Sequence, residues 1–128
     1  MVLLVPVSNG EVIDKYTILL IKKIFIENKE KIDKVNKEIE FLKDLISDLL
    51  NKYKIEDEFN NLYEVNKKLW NIEDDIRIKE KNKIFDSKFI ELARSVYITN
   101  DERSEIKNEI NLKTESNIFE VKSYKKYK

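Results

Sequence analysis

Three arginines, Arg77, Arg94 and Arg103, stand against 22 lysines in this chain of 128 residues. A guanidinium presents a planar fork of donors that grips a carboxylate or phosphate at two points, which an ammonium does not. Lys, Ile and Asn share AT-rich codons and together fill 53 positions. Where coding bias favours Lys, a retained Arg marks a place where Lys does not serve. Glu73 stands four residues before Arg77 and Glu80 three after it. On a helix both carboxylates can reach that guanidinium. The only Trp, Trp70, lies one turn below. Farther on, Arg94 aligns with Tyr97 and Asp101, and Asn100 aligns with Arg103 and Lys107. Near the start, Asp14 and Lys15 share a face with Glu11, next to the only Gly, Gly10.

These residues suit recognition of an anion. Arg77, Arg94 and Arg103 would clamp it, Lys15 and Lys107 would add charge, and Trp70 or Tyr97 would offer a stacking surface. Glu73, Glu80, Asn100 and Asp14 complete the set of candidate ligand-binding residues, the two glutamates within reach of Arg77. Each group also has a plain structural use: Glu73-Arg77-Glu80 as an ion network fixing helix register, Trp70 and Tyr97 as packing, Asn100 and Asp101 as caps, Glu11 and Asp14 as complements to a helix dipole. The only Ala, Ala93, suggests a close approach of backbone or ligand at that point.

Composition narrows the chemistry. The chain has no Cys and no His. Thiolate catalysis, disulfides and sulfur-based zinc sites are excluded, along with the commonest general base near neutral pH. Carboxylate sites for magnesium or calcium stay open, no metal ligands are assigned, and the sequence names no cofactor. Lys plus Arg equals Asp plus Glu at 25 each, so no basic excess points to nucleic acid. No run reaches the ~20 apolar residues of a membrane span, and cytoplasmic residence is expected.

The elements that must position these residues are helices. The chain is 41% hydrophobic and 39% charged, against a usual charged share of ~25%. That balance fits amphipathic helices in a single domain over 1–128. Ser8 to Glu11 fits a capping box, predicting a first helix from about Gly10 to Ile26. That helix is apolar on most sides, as suits a central helix or an oligomer interface. A second, from about Lys29 to Tyr53, carries the heptad seam Ile32, Val35, Ile39, Leu42, Ile46, Leu49, Tyr53. A third spans about Glu58 to Asn82 with Asp57 as N-cap. Its core stripe is Leu62, Val65, Leu69, Ile72 and Ile76, and a second row beside it carries Asn66, Trp70, Glu73, Arg77 and Glu80. A fourth starts after Asp86 and ends near Ile98. Thr99 to Glu102 fits another capping box, predicting a fifth helix that fades near Leu112. Val2 to Val7 and Ile118 to Tyr124 read as short strands that could pair and tie the termini together. The expected fold is therefore all-α: a bundle of about five helices with two short terminal strands.

Three segments resemble those of a bacterial and phage family of small proteins of unknown function. They are Ser8-Asn9-Gly10-Glu11-Val12-Ile13-Asp14-Lys15-Tyr16-Thr17-Ile18-Leu19, the block Leu69-Trp70-Asn71-Ile72-Glu73-Asp74-Asp75-Ile76-Arg77 to Glu80, and Ala93-Arg94-Ser95-Val96-Tyr97 to Thr99-Asn100-Asp101 with Arg103, Ile106-Lys107 and Glu109-Ile110-Asn111. Tyr16 stands where the pattern has Ile. The resemblance covers almost the whole chain. It implies an all-helical cytoplasmic protein and no particular activity.

Three functions follow from the residues. One is a module binding an anionic small molecule, a phosphorylated metabolite or nucleotide. Another is a helical homodimer or adaptor working through the second-helix seam. The third is an enzyme using carboxylates with Arg or a metal, for which Glu27/Glu30, Glu30/Asp33 and Glu102/Glu105 have the spacing of paired magnesium ligands.

Overall fold

The computed structural model describes residues 1–128. The chain forms four helices, α1 (Asn9–Phe25), α2 (Lys29–Tyr53), α3 (Glu56–Lys81) and α4 (Ser87–Lys113), and no strand. The expectation of an all-α protein holds. The expectation of five helices with paired terminal strands does not.

Helix α1 is the hub, packed against α2, α3 and α4. Its apolar girth explains that position. Ile13, Leu19 and Ile21 are buried, Ile13 and Leu19 in two different core clusters. The α2 seam is spent inside the molecule: Val35 and Ile39 close on Leu19, and Ile46 closes on Ile13, Ile55, Leu62 and Ile110. These pairings run α2 antiparallel to α1. Helix α4 returns along α3 and also crosses α1.

Capping chemistry sets most boundaries. The Ser8 hydroxyl accepts from the Glu11 amide at 3.2 Å, and Asn28 and Asp86 cap α2 and α4 through Lys31 and Phe89 amides. Only half of the Ser8–Glu11 box forms, because the Glu11 carboxylate turns to Lys107. Helix α3 begins before Asp57 and has no side-chain cap. Burial of Ile55 against Ile13 and Ile46 fixes that turn, while Glu56, Asp57 and Glu58 complement the helix dipole.

The capping sequence at Thr99–Glu102 lies inside α4 and does not restart the helix. Thr99 is fully buried. Asn100 has its side chain turned to Arg103. Polar residues in a helix interior cost a few tenths of a kcal/mol each, whereas breaking and renucleating the helix would forfeit several backbone hydrogen bonds. Continuous packing on α3 decides for one long helix.

The terminal segments stay unpaired because the C-terminal one is drawn elsewhere. Glu120 binds Lys107 at 2.7 Å, and the Tyr127 ring sits edge-on to Tyr97 at 5.1 Å. Both contacts lay the tail along α4. The isolated two-stranded ribbon that was the alternative is marginal by itself, and Pro6 offers it no donor. The termini are nevertheless joined, through side chains. The Asn9 amide donates to Ser116 Oγ at 3.1 Å, the Asn9 side chain donates to Thr114, and the Gly10 amide donates to Asn111 Oδ1 at 2.6 Å.

Gly10 has a specific reason to be glycine. A Cβ there would lie 2.5 Å from the Lys107 carbonyl oxygen and 2.9 Å from Asn111 Oδ1. The α1 and α4 backbones cross at that point, closer than any side chain permits. The close approach that the lone Ala93 suggested belongs to Gly10; Ala93 itself is half-buried.

Candidate functional site

The interior is half polar: ten polar or charged residues are buried beside eleven hydrophobic ones. Burying so many polar groups is costly unless they are bonded, and four of them, Asp14, Thr17, Asn66 and Lys107, belong to one network where α1, α3 and α4 meet. Its centre is Asp14, 1% exposed. Arg103 grips it at two points, Nε to Oδ1 at 2.9 Å and Nη2 to Oδ2 at 2.5 Å. Asn66 of α3 donates to Asp14 Oδ1 at 2.8 Å and to Thr17 Oγ1 at 2.9 Å. Lys107 lies 3.8 Å from Asp14 and bonds Glu11 and Glu120 at 2.7 Å each.

The charges stabilise one another. The Asp14 carboxylate hydrogen-bonds Arg103 and raises its pKa above the usual value, against the opposing effect of burial. Burial disfavours the Lys107 ammonium, yet its bonds to Glu11 and Glu120 and the charge of Asp14 leave its pKa raised. Lys107 and Lys122 hold the Glu120 carboxylate down at about 2.

Above the network opens a cleft of about 470 Å³, lined by Ile18, Asn66, Leu69, Trp70, Glu73, Asp74, Arg77, Asn100 and Arg103. Trp70 is held flat by Phe25, ring on ring at 5.8 Å and 20°. Arg103 shows its outer edge here, its Nη1 making only a long 3.4 Å contact with Asn100. Arg77 is largely exposed and leans on Glu73 at 3.4 Å.

Of the residues singled out from sequence, Trp70, Glu73, Arg77, Asn100 and Arg103 come together as cleft wall, with Asp14 beneath and Lys107 beside it. The others lie elsewhere. Glu80 pairs with Lys83 instead of Arg77, because Arg77 leans back toward Glu73. Lys15 faces α2 and pairs with Glu38 at 2.6 Å. Arg94 is exposed and away from the cleft. Tyr97 lines a separate groove under the tail, beside Asp101, Tyr124 and Tyr127. There the Asp101 carboxylate beside the Tyr127 hydroxyl pushes its pKa up to about 12. The α1 amides that a helix N-terminus offers to anions are taken by Ser8, Asn111 and Ser116. No three carboxylates gather closely enough to hold a metal ion.

Sequence reasoning undervalued Asn66. Its place in the row of Trp70 and Arg77 was the available signal, but nothing local indicated Asp14, 52 residues earlier, as its partner. Of the ring around the α1 start, Asn111 stood out only as part of the third resembling segment, and Thr114 and Ser116 read as ordinary helix-end chemistry.

Fold and cleft together define a small all-helical protein with a charged interhelical cleft. The chain belongs to a family of unknown function (DUF6165), whose family model matches residues 3–127. No curated protein and no solved structure matches it. No helix is long and apolar enough to cross a membrane.

Proposed function

We propose that residues 1–128 act as one helical domain that binds an anionic small molecule in the α1–α3–α4 cleft. The supporting observation is the state of Arg103. Its two-point grip on buried Asp14 immobilises the guanidinium and leaves Nη1 toward the cleft. A cation already fixed loses little entropy on meeting an anion. Arg77 on the facing wall supplies a second guanidinium, and Trp70 a rigid apolar plate. A cleft of about 470 Å³ lies within the range for small-molecule sites.

Titration calorimetry of the full chain against phosphorylated metabolites and nucleotides tests this. Binding that weakens at least tenfold in Arg77→Ala, with the melting temperature unchanged, supports the cleft. Arg77 is exposed and its one ion pair is long, so its loss is expected to leave the fold intact. Binding indifferent to both Arg77→Ala and Trp70→Ala places the ligand elsewhere.

A second function has its own support. Val2, Leu3, Leu4 and Val5 are 63 to 93% exposed, and Phe41 and Leu45 stand outward on α2 at 61% and 49%. Exposed apolar residues in such number suit contact with another chain. Sedimentation equilibrium decides: a monomer at all concentrations, unchanged by Phe41→Ser, excludes the homodimer.

A further inference from the structure

Asn66 is 5% exposed and lines the cleft. Both of its amide hydrogens are spent, on Asp14 and on Thr17. The flipped amide would set oxygen against the Asp14 carboxylate, so the orientation is fixed by charge. Its Oδ1 accepts no hydrogen bond within the chain. It is not among the sealed unpartnered atoms either, which are in Asn36, Glu58 and Thr99. An immobile acceptor therefore opens on the cleft.

That acceptor stands next to the fixed cation. Asn66 Nδ2 and Arg103 Nε both bond the same oxygen of Asp14, at 2.8 and 2.9 Å. A ligand placing an anionic oxygen on Arg103 therefore brings its neighbouring atoms to Asn66 Oδ1, and only a hydrogen-bond donor is welcome there. Two more acceptors, Glu73 and Asp74, sit among the lining residues. They bring the charge of the lining, with Arg77 and Arg103, to zero. A bare anion meets repulsion from these carboxylates, whereas hydroxyl groups satisfy them. Nη1 of Arg103 and the exposed guanidinium of Arg77 offer N–H donors that the several oxygens of a phosphate can share. The flat face of Trp70, held by Phe25, suits the apolar C–H face of a sugar ring.

Resting on the anion-binding function proposed above, we infer that the cleft recognises a sugar phosphate, with the phosphate on Arg103 and Arg77 and a hydroxyl on the adjacent carbon donating to Asn66 Oδ1. Nucleobase-bearing ligands are the less suited class, because they bring to the acceptor-rich wall few of the hydroxyl donors that a hexose supplies.

The test is calorimetry on the full chain with glucose 1-phosphate, galactose 1-phosphate, their 2-deoxy counterparts, inorganic phosphate and AMP. Expected is binding of a hexose phosphate about tenfold tighter than its 2-deoxy counterpart, as for one lost hydrogen bond, and tighter than phosphate or AMP. Asn66→Ala should erase the difference between the sugar and its 2-deoxy form. Arg77→Ala should weaken both alike. If Asn66→Ala does not fold, the wild-type comparison of the two sugars decides alone. Equal affinity for sugar and deoxy sugar overturns the inference. So does binding of AMP or phosphate without either sugar, though that result keeps the anion cleft. Binding of none of these or of any other phosphorylated compound overturns both.

Discussion

Arg103 closes a two-point grip on Asp14 across 89 residues of chain. The pair joins the first helix to the last, and 28% of the arginine side chain is exposed against 2% of the aspartate. One end is structural and the other faces the cleft.

Removing the buried end should be severe. Asp14→Ala leaves Arg103, Lys107 and Asn66 without their common acceptor, a loss of about 3–5 kcal/mol for a broken buried pair. Urea unfolding measures it. Arg103→Lys keeps the charge but cannot reproduce the fork, and should cost about 1–2 kcal/mol. If Asp14→Ala is as stable as wild type, the network does not hold α1 to α4.

Gly10→Ala should destabilise by about 2 kcal/mol, the scale of overpacking in a close contact. The sign is the informative part. Glycine to alanine inside a helix ordinarily gains about 0.5–1 kcal/mol, but here the new methyl meets the Lys107 carbonyl at 2.5 Å. A higher melting temperature in this variant would show that α1 and α4 do not touch as described.

Stability should fall at both ends of the pH scale through the tail. The Glu120 carboxylate sits at about 2, below its ordinary 4.5, through Lys107 and Lys122. A lowered acid contributes fully above pH 4.5, and that contribution is lost as pH falls toward 2. Tyr127, raised from 10.0 to about 12 by Asp101, contributes fully below pH 10, and its share is lost as pH rises through about 12. Chemical shifts of the 118–128 backbone should follow both transitions. Glu120→Gln should abolish the acid one and leave the alkaline one.

Exposed Arg77 should matter little for folding. Its ion pair with Glu73 is long and solvated, worth under about 1 kcal/mol. Arg77→Ala should therefore melt within about 2 °C of wild type, while losing any ligand that the cleft holds. A large drop in melting temperature would make Arg77 structural.

The helices were legible because their signals are local. The α2 seam and the Ser8 and Asp86 caps lie within a few residues of the boundaries they set. The same local chemistry misled at Thr99–Glu102, where packing against α3 outweighed a capping sequence, and at the termini, where Glu120 is bound to Lys107 and no strand forms. Within the cleft, the row from Asn66 to Arg77 was visible as helical spacing, and Arg103 as a residue the coding bias disfavours. What could not be read was partnership at a distance. Arg77, Arg94 and Arg103 looked like one cluster in sequence, yet helix phase turns Arg94 to solvent and hands Arg103 to Asp14. Lys15, one residue from Asp14, faces α2 for the same reason.

The bonds from Asn9 and Gly10 to Asn111, Thr114 and Ser116 bear on how the chain acquires its shape. Their partners lie 101 to 107 residues apart. During synthesis α1 emerges before α2, α3 and α4, and its opening turn waits for the segment made about a hundred residues later, at ~5–20 residues per second. Until then Gly10 has no carbonyl to nestle against and Asp14 has no counter-charge. Of the four helices the hub is thus made before the others and finished after them, and a chain stalled before residue 103 carries an unneutralised aspartate at the place where its core should close.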